Sequence, residues 1–257
     1  METIEFFGVP RIGKSLTKSY ILSQSSYANF LNYRSVIAKY LYDKKRINFS
    51  EFSFLNHVEY CRENSHNKNP ISVAKIFCKN LFFLILPINK TKLRKELDIL
   101  IKETEKKNKG FFLYIKKIGL NKKKDLNKII FWIKEEMTGL RLYQKYRSKY
   151  ICLNSEGIFQ RIISLIVRNN LSKIQIKKIL DFFPKLDLII ILRNKKIENK
   201  LIREFLYLRK SDIDCEDFKN NYLYSISQIK KKFKHKVINI NDSNYLKDIN
   251  KLTKNIL

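Results

Sequence analysis

The sequence predicts an α/β fold: a mainly parallel sheet in a three-layer α/β/α sandwich, carrying a large helical insertion. Three observations carry that reading. Short apolar, β-branched runs recur at Thr3 to Phe7, Lys149 to Asn154, Leu186 to Arg193 and His235 to Ile240. Such runs, separated by helical segments, are what a parallel sheet covered on both faces requires. The block between the first two runs places apolar residues at three-to-four spacing and carries little β signal. Finally, the first run leads into a glycine loop that opens a helix. At 257 residues and 44% hydrophobic content the chain fills a sizeable core. Repeats and long flexible linkers are absent, so residues 1–257 read as one domain with a helical insertion at about 40–148.

The first strand, TIEFF, is followed by Gly8-Val9-Pro10-Arg11-Ile12-Gly13-Lys14-Ser15-Leu16. Gly8, Gly13, Lys14 and Ser15 match G-x-x-x-x-G-K-[ST]. In that pattern backbone N–H groups wrap phosphates, the lysine reaches the terminal ones and the hydroxyl ligates magnesium. A strand before the loop and a helix opening within it are the context the pattern needs. Arg11 and Ile12 are bulkier than the small residues usual in such a loop.

The middle of the chain reads as helices. YRSVIAKYLYD (33–43), NPISVAKIFCKNLFFLILP (69–87), TKLRKELDILIKETEKK (91–107) and DLNKIIFWIKEEMTGLRLYQKY (125–146) all show the helical period. Pro70 and Pro87 bound the second. A fifth strand is expected between Ser35 and Leu55, and Trp132, in an apolar helix stripe, is expected in the core. The strongest apolar run, Leu81 to Ile88, is far below the roughly 18 residues that span a bilayer.

The second constellation is YICLNSEGIFQRIISLIV, Tyr150 to Val167. A strand ends in Asn154-Ser155-Glu156-Gly157, and an amphipathic helix follows from Ile158 to Val167 with Gln160 and Arg161 on its first turn. A carboxylate at the end of a second strand is what a phosphate loop needs to hold magnesium or polarise a hydroxyl.

With these two segments the chain resembles the P-loop kinases, within the P-loop NTPase fold, and among them the nucleotide-kinase branch that includes thymidylate-kinase-like proteins. Their corresponding segment reads Asp-Glu-Gly-x-x-Gln-Arg, against Ser155-Glu156-Gly157-Ile158-Phe159-Gln160-Arg161 here. FPKLDLIIILRNKKIENKLIRE (Phe183 to Glu204) and YLYSISQIKKKFKHKVININD (Tyr222 to Asp242) are similar to their later strand, loop and closing elements. The likeness covers about residues 3–25 and 149–245. Ser155 occupies the place where these kinases usually carry an aspartate, which leaves Glu156 as the carboxylate of this segment.

A transferring phosphoryl group is best met by forked donors in a closing lid, and Arg203 and Arg209 fall in the right region, with Arg193 a weaker candidate. Ligands of open parallel sheets bind beyond the strand C-termini. The acceptor is therefore expected on the insertion side, near Arg141, Arg147, Gln160 and Arg161. His57, His66 and His235 form no metal-ligand spacing. The expected function is ATP-dependent transfer of a phosphoryl group to a small acceptor: a nucleotide, a sugar or a polysaccharide precursor. Lys14, Glu156, Arg203 and Arg209 would be catalytic, residues Gly8 to Leu16 would hold ATP, and Ser15 and Glu156 would hold Mg2+. The alternative is a catalytically weakened nucleotide-binding switch, or an ATPase without kinase activity.

The formal charge of +29, from 53 Lys and Arg against 24 Asp and Glu, points first toward anionic partners. It is spread over all segments, and lysine, asparagine and isoleucine are used together at the expense of glycine and alanine. That pattern is what an AT-rich coding sequence yields. Aromatics do not interleave the basic runs as a stacking platform for nucleic acid requires, so no specific nucleic-acid partner is expected. Cys61, Cys78, Cys152 and Cys215 form no C-x-x-C pair, which fits a reducing cytoplasm. The short apolar N-terminal stretch runs directly into the glycine loop and does not read as a signal peptide.

Overall fold

The computed structural model describes residues 3–24, 30–63, 88–118, 123–146, 151–240 and 244–256. Five strands form one sheet: β1 (Thr3–Phe7), β2 (Phe30–Leu31), β3 (Ile151–Asn154), β4 (Leu188–Arg193) and β5 (His235–Asn239). Their order is β2-β3-β1-β4-β5, and every pairing is parallel. Parallel neighbours need crossovers, and helices supply them. After β1 comes α1 (Lys14–Gln24). Between β2 and β3 lie α2 (Tyr33–Asp43), α3 (Phe49–Glu63), α4 (Lys90–Lys107), α5 (Lys109–Ile118) and α6 (Lys123–Tyr146). Between β3 and β4 come α7 (Gln160–Asn169) and α8 (Lys173–Phe182); α9 (Glu198–Leu208) and α10 (Cys215–Lys232) precede β5, and α11 (Tyr245–Ile256) follows it. The arrangement is α/β and consistent with three layers. No helix among the described residues is long and apolar enough to cross a membrane.

The centre of the sheet is dry. Ile4, Phe6 and Phe7 of β1 and Ile189 to Leu192 of β4 are fully buried, as expected of strands covered on both faces. Phe7 stacks on Tyr222 of α10 at 5.8 Å between ring centroids. At the opposite end of β1, Asp187 accepts from the Thr3 N–H and hydroxyl at 2.7 and 2.8 Å, pinning the start of β1 to the strand that follows α8.

The expected fifth strand is not where the sequence placed it. Residues 35 to 55 form α2, a turn and the start of α3, and the edge strand is the two-residue β2 just before them. The reason is local. Asn32 caps α2 by accepting from the Ser35 N–H at 2.8 Å, and Val36, Ile37 and Leu41 are then buried along one helical stripe. The expected helix at 69–87 lies outside the described residues.

Candidate functional site

β1 ends at Phe7, and the chain turns through Gly8 to Gly13 before α1 begins at Lys14. Two residues of the turn adopt left-handed backbone, Gly13 at φ 100° and Arg11 at φ 65°. Glycine takes that conformation without steric cost, whereas Arg11 is strained by it. The Arg11 guanidinium reaches Glu204 of α9 at 3.2 Å. The Thr17 N–H makes the first intrahelical bond of α1, to the Gly13 carbonyl at 2.9 Å. The N–H groups before it are of the kind for which a helix has no internal acceptor, and they carry the positive end of the helix dipole.

Lys14 lies across this loop. Its side chain is buried, and Nζ donates to the carbonyls of Gly8 and Val9 at 2.9 and 3.0 Å. Burial lowers its pKa to about 8; Glu156 opposes that shift and Arg161 adds to it. Ser15 is exposed at the rim.

β3 lies directly beside β1, with Glu5 level with Asn154. The turn after Asn154 brings Glu156 to the same cleft as Lys14 and Ser15, a space of about 780 Å³. The Glu156 side chain is about half exposed, at 53%, and one oxygen stands 3.8 Å from Arg161 Nη1. The lining includes the cations Arg11, Lys14, Arg161, Arg168 and Arg209, and Glu156 is the only acid among the described lining residues. Such a concave, cationic space with a helix N-terminus in its wall favours a polyanion.

The far wall is built differently. Arg161 is buried and makes a forked pair with Glu136 of α6, with contacts of 2.5, 2.9 and 3.2 Å. Burial opposes its charge, but Glu136, with Glu156 and Glu5 behind it, more than compensates and raises its pKa. The guanidinium stands 4.9 Å from the ring centre of Trp132, one helical turn before Glu136. Trp132 is therefore only in part the core residue its stripe predicted: it packs against the core but is half-buried and lines the cleft, because α6 turns that face toward α7.

The other expected site residues divide. Pro10, Leu16, Gln160 and Arg209 line the cleft. Gln160 also braces the loop, its side-chain oxygen accepting from the Gly8 N–H at 3.3 Å. Arg209 follows α9 with its guanidinium 5.7 Å from the Phe205 ring. Val9 and Ile12 pack inward, fully or almost fully buried. Arg203 is exposed on α9 and does not line the cleft. Arg193 is taken up by the buried carboxylate of Glu198, at 2.5 to 3.1 Å. Arg141 sits on the seam of α4 and α6, donating to Glu103 at 3.2 Å and the Leu100 carbonyl at 3.5 Å, away from the cleft. Arg147 lies outside the described residues.

Sequence reasoning missed Glu136 and Glu5. Glu5, in the middle of β1, is completely buried. It accepts from the Tyr33 hydroxyl at 2.5 Å and from the Ile158 and Phe159 N–H groups at 3.1 and 3.0 Å. Burial raises its carboxyl to about 7, with these hydrogen bonds pulling the other way. The one advance signal was a charged residue at the centre of an otherwise apolar strand.

No group of three His, Cys, Asp or Glu poised for a metal occurs among the described residues. One hydroxyl and one carboxylate, Ser15 and Glu156, nevertheless suit magnesium. That ion takes oxygen ligands, keeps several waters, and is commonly held by one or two protein groups together with phosphate oxygens. Family models, curated proteins and solved structures yield no match to this chain. The function therefore rests on the residues and their geometry.

Proposed function

We propose that the protein is an ATP-dependent phosphotransferase of the P-loop kinase type, in the nucleotide-kinase branch, acting on a small nucleotide, sugar or polysaccharide-precursor acceptor. The observation that supports it most is the convergence of Lys14, Ser15 and Glu156 on one cleft. They stand beyond the C-terminal ends of two adjacent parallel strands, where open α/β sheets take their ligands. In this reading the loop N–H groups and the start of α1 receive the phosphates, and Lys14 exchanges two carbonyl oxygens for phosphate oxygens. Ser15 and Glu156 hold magnesium, which when bound neutralises charge on the transferring group. Arg11, Arg161, Arg168 and Arg209 add fixed positive charge around the position where it develops. Little covalent chemistry is left for the chain, so positioning carries the rate.

Calorimetry of MgATP with wild type and Lys14→Ala tests the loop. Binding is expected in the wild type and strong weakening in the variant; equal affinity for both removes the loop from the reading. A second reading, a nucleotide switch or an ATPase without kinase activity, is favoured by Glu156 being the only acid among the described lining residues, with Ser155 beside it. Turnover of MgATP with and without a panel of small hydroxyl and phosphate acceptors separates the two. Acceptor-dependent ADP release supports the transferase, and acceptor-independent release or none supports the switch.

A further inference from the structure

Glu5 is not among the residues lining the cleft, yet the turn on the β3 side of the cleft is hydrogen-bonded to it. Two of its three donors, the Ile158 and Phe159 N–H groups, belong to the turn that starts with Glu156 and ends at Gln160 and Arg161. The turn lies so close that a Cβ on Gly157 would stand 2.2 Å from the Glu5 carboxyl carbon, so no side chain fits there. The third donor, the Tyr33 hydroxyl, comes from the first residue of α2. Tyr33 in turn donates its N–H to Asn154, the last residue of β3, at 3.0 Å. A Cβ on Gly139 of α6 would stand 2.4 Å from the Tyr33 carbonyl oxygen, so the helix that carries Trp132 and Glu136 rests on the same tyrosine. A buried carboxylate is costly even when hydrogen-bonded, and an isoleucine would suit an apolar strand better. What Glu5 supplies in return is a joint between the phosphate-loop strand, the insertion and the turn.

We infer that Glu5 is a positioning residue whose carboxylate clamps the β3–α7 turn to β1, and so sets where Glu156 and Arg161 stand against Lys14. Its significance for turnover rests on the reading of the cleft as a phosphoryl-transfer site. The titratable and charged groups facing it are Tyr33 from α2, Glu136 from α6, Arg161 from α7 and Cys152 from β3. The Tyr33 hydroxyl and the Cys152 thiol are both held above their usual ranges by burial first, so neither changes charge near neutrality. When Glu5 is ionised, its two oxygens accept all three donors. A proton on either oxygen places an O–H against an N–H or the tyrosine hydroxyl, and the clamp loosens.

Trp132 is the sole tryptophan, and it packs on Arg161 at the far end of the turn. Its emission therefore reads the turn without any assay of activity. In the wild type a transition from Glu5 is expected near pH 7, distinct from any near pH 8 from Lys14 in the same cleft. Glu5→Gln removes the titrating group and sets an amide N–H against one of the donors, so the transition should vanish. The MgATP turnover number should then fall on the order of a hundredfold, the effect of a displacement of about 1 Å in a catalytic group, with MgATP affinity retained. Tyr33→Phe keeps the carboxylate and two of its donors while removing one that favours the charged form. It should move the transition to higher pH and recover turnover at alkaline pH. A Glu5→Gln protein with the wild-type transition and turnover overturns the inference. Should that variant fail to fold, an unmoved transition in Tyr33→Phe overturns it equally. A wild type that binds no MgATP sinks the reading of the cleft instead, and the tryptophan titration then decides alone whether Glu5 sets the turn.

Discussion

The two walls of the cleft are made by opposite means. The glycine-loop wall is eight consecutive residues, Gly8 to Ser15, whose working groups are mostly backbone, set between a strand and a helix and touched from farther along the chain by Gln160 at Gly8 and Glu204 at Arg11. The opposite wall is made of side chains that meet across the chain: Arg161 finds Glu136 at a separation of 25 residues, and Ile158 finds Glu5 at 153. A mostly local wall should tolerate most changes elsewhere in the molecule. A wall assembled from distant partners fails as a unit when one partner is lost.

The largest effect expected from this contrast is on stability, at Arg161. Replacing it by alanine takes the forked donor away from the buried Glu136 carboxylate, which should cost about 3–5 kcal/mol in urea unfolding, while Arg161→Met combined with Glu136→Leu should recover most of it. A single variant as stable as wild type would show the far wall to be less interdependent than its geometry implies. Next comes Glu156→Gln. That side chain is half-exposed and its ion pair to Arg161 is long, so stability should hold while MgATP turnover falls on the order of a hundredfold, with nucleotide binding kept. Normal turnover would turn attention to Ser155.

A third effect is a pH dependence centred on Glu5. Its carboxyl is raised from 4.5 to about 7 in the fold, so the folded chain keeps a proton that the unfolded chain has already released. The sign follows from linkage: the group's contribution is full below about 4.5 and is lost as pH rises to about 7. Wild type should therefore lose stability relative to Glu5→Gln across that window in paired denaturation curves. A difference that stays flat would place the carboxyl in its ordinary range.

The same contrast explains what was legible in the sequence. The loop, β1, β3 and β4 announce themselves through spacing and apolar runs, and α2 begins and ends where the period of Val36, Ile37 and Leu41 puts it. β2 was misplaced because two residues carry no period. Trp132 was assigned to the core because its stripe shows only that one face of α6 is apolar, not that a cleft opens beside it. Arg141 and Arg161 look alike in sequence; only the fold pairs one with Glu103 on a helix seam and the other with Glu136 at the cleft. Glu5 reads as an ordinary strand residue until the turn that needs it is in place.

The lysine resting on its own loop has a consequence for selectivity. With Nζ already satisfied by two carbonyl oxygens, the site is not a vacancy waiting for any anion; capture is a substitution reaction in which an incoming group must outcompete internal ligands. On the proposed function a singly anchored anion would offer one contact for the two it displaces, whereas a chain of phosphates would engage the helix end and the lysine together. On the proposed function the loop would thereby act as a valence filter, and inorganic phosphate should compete with ATP only weakly in a displacement titration.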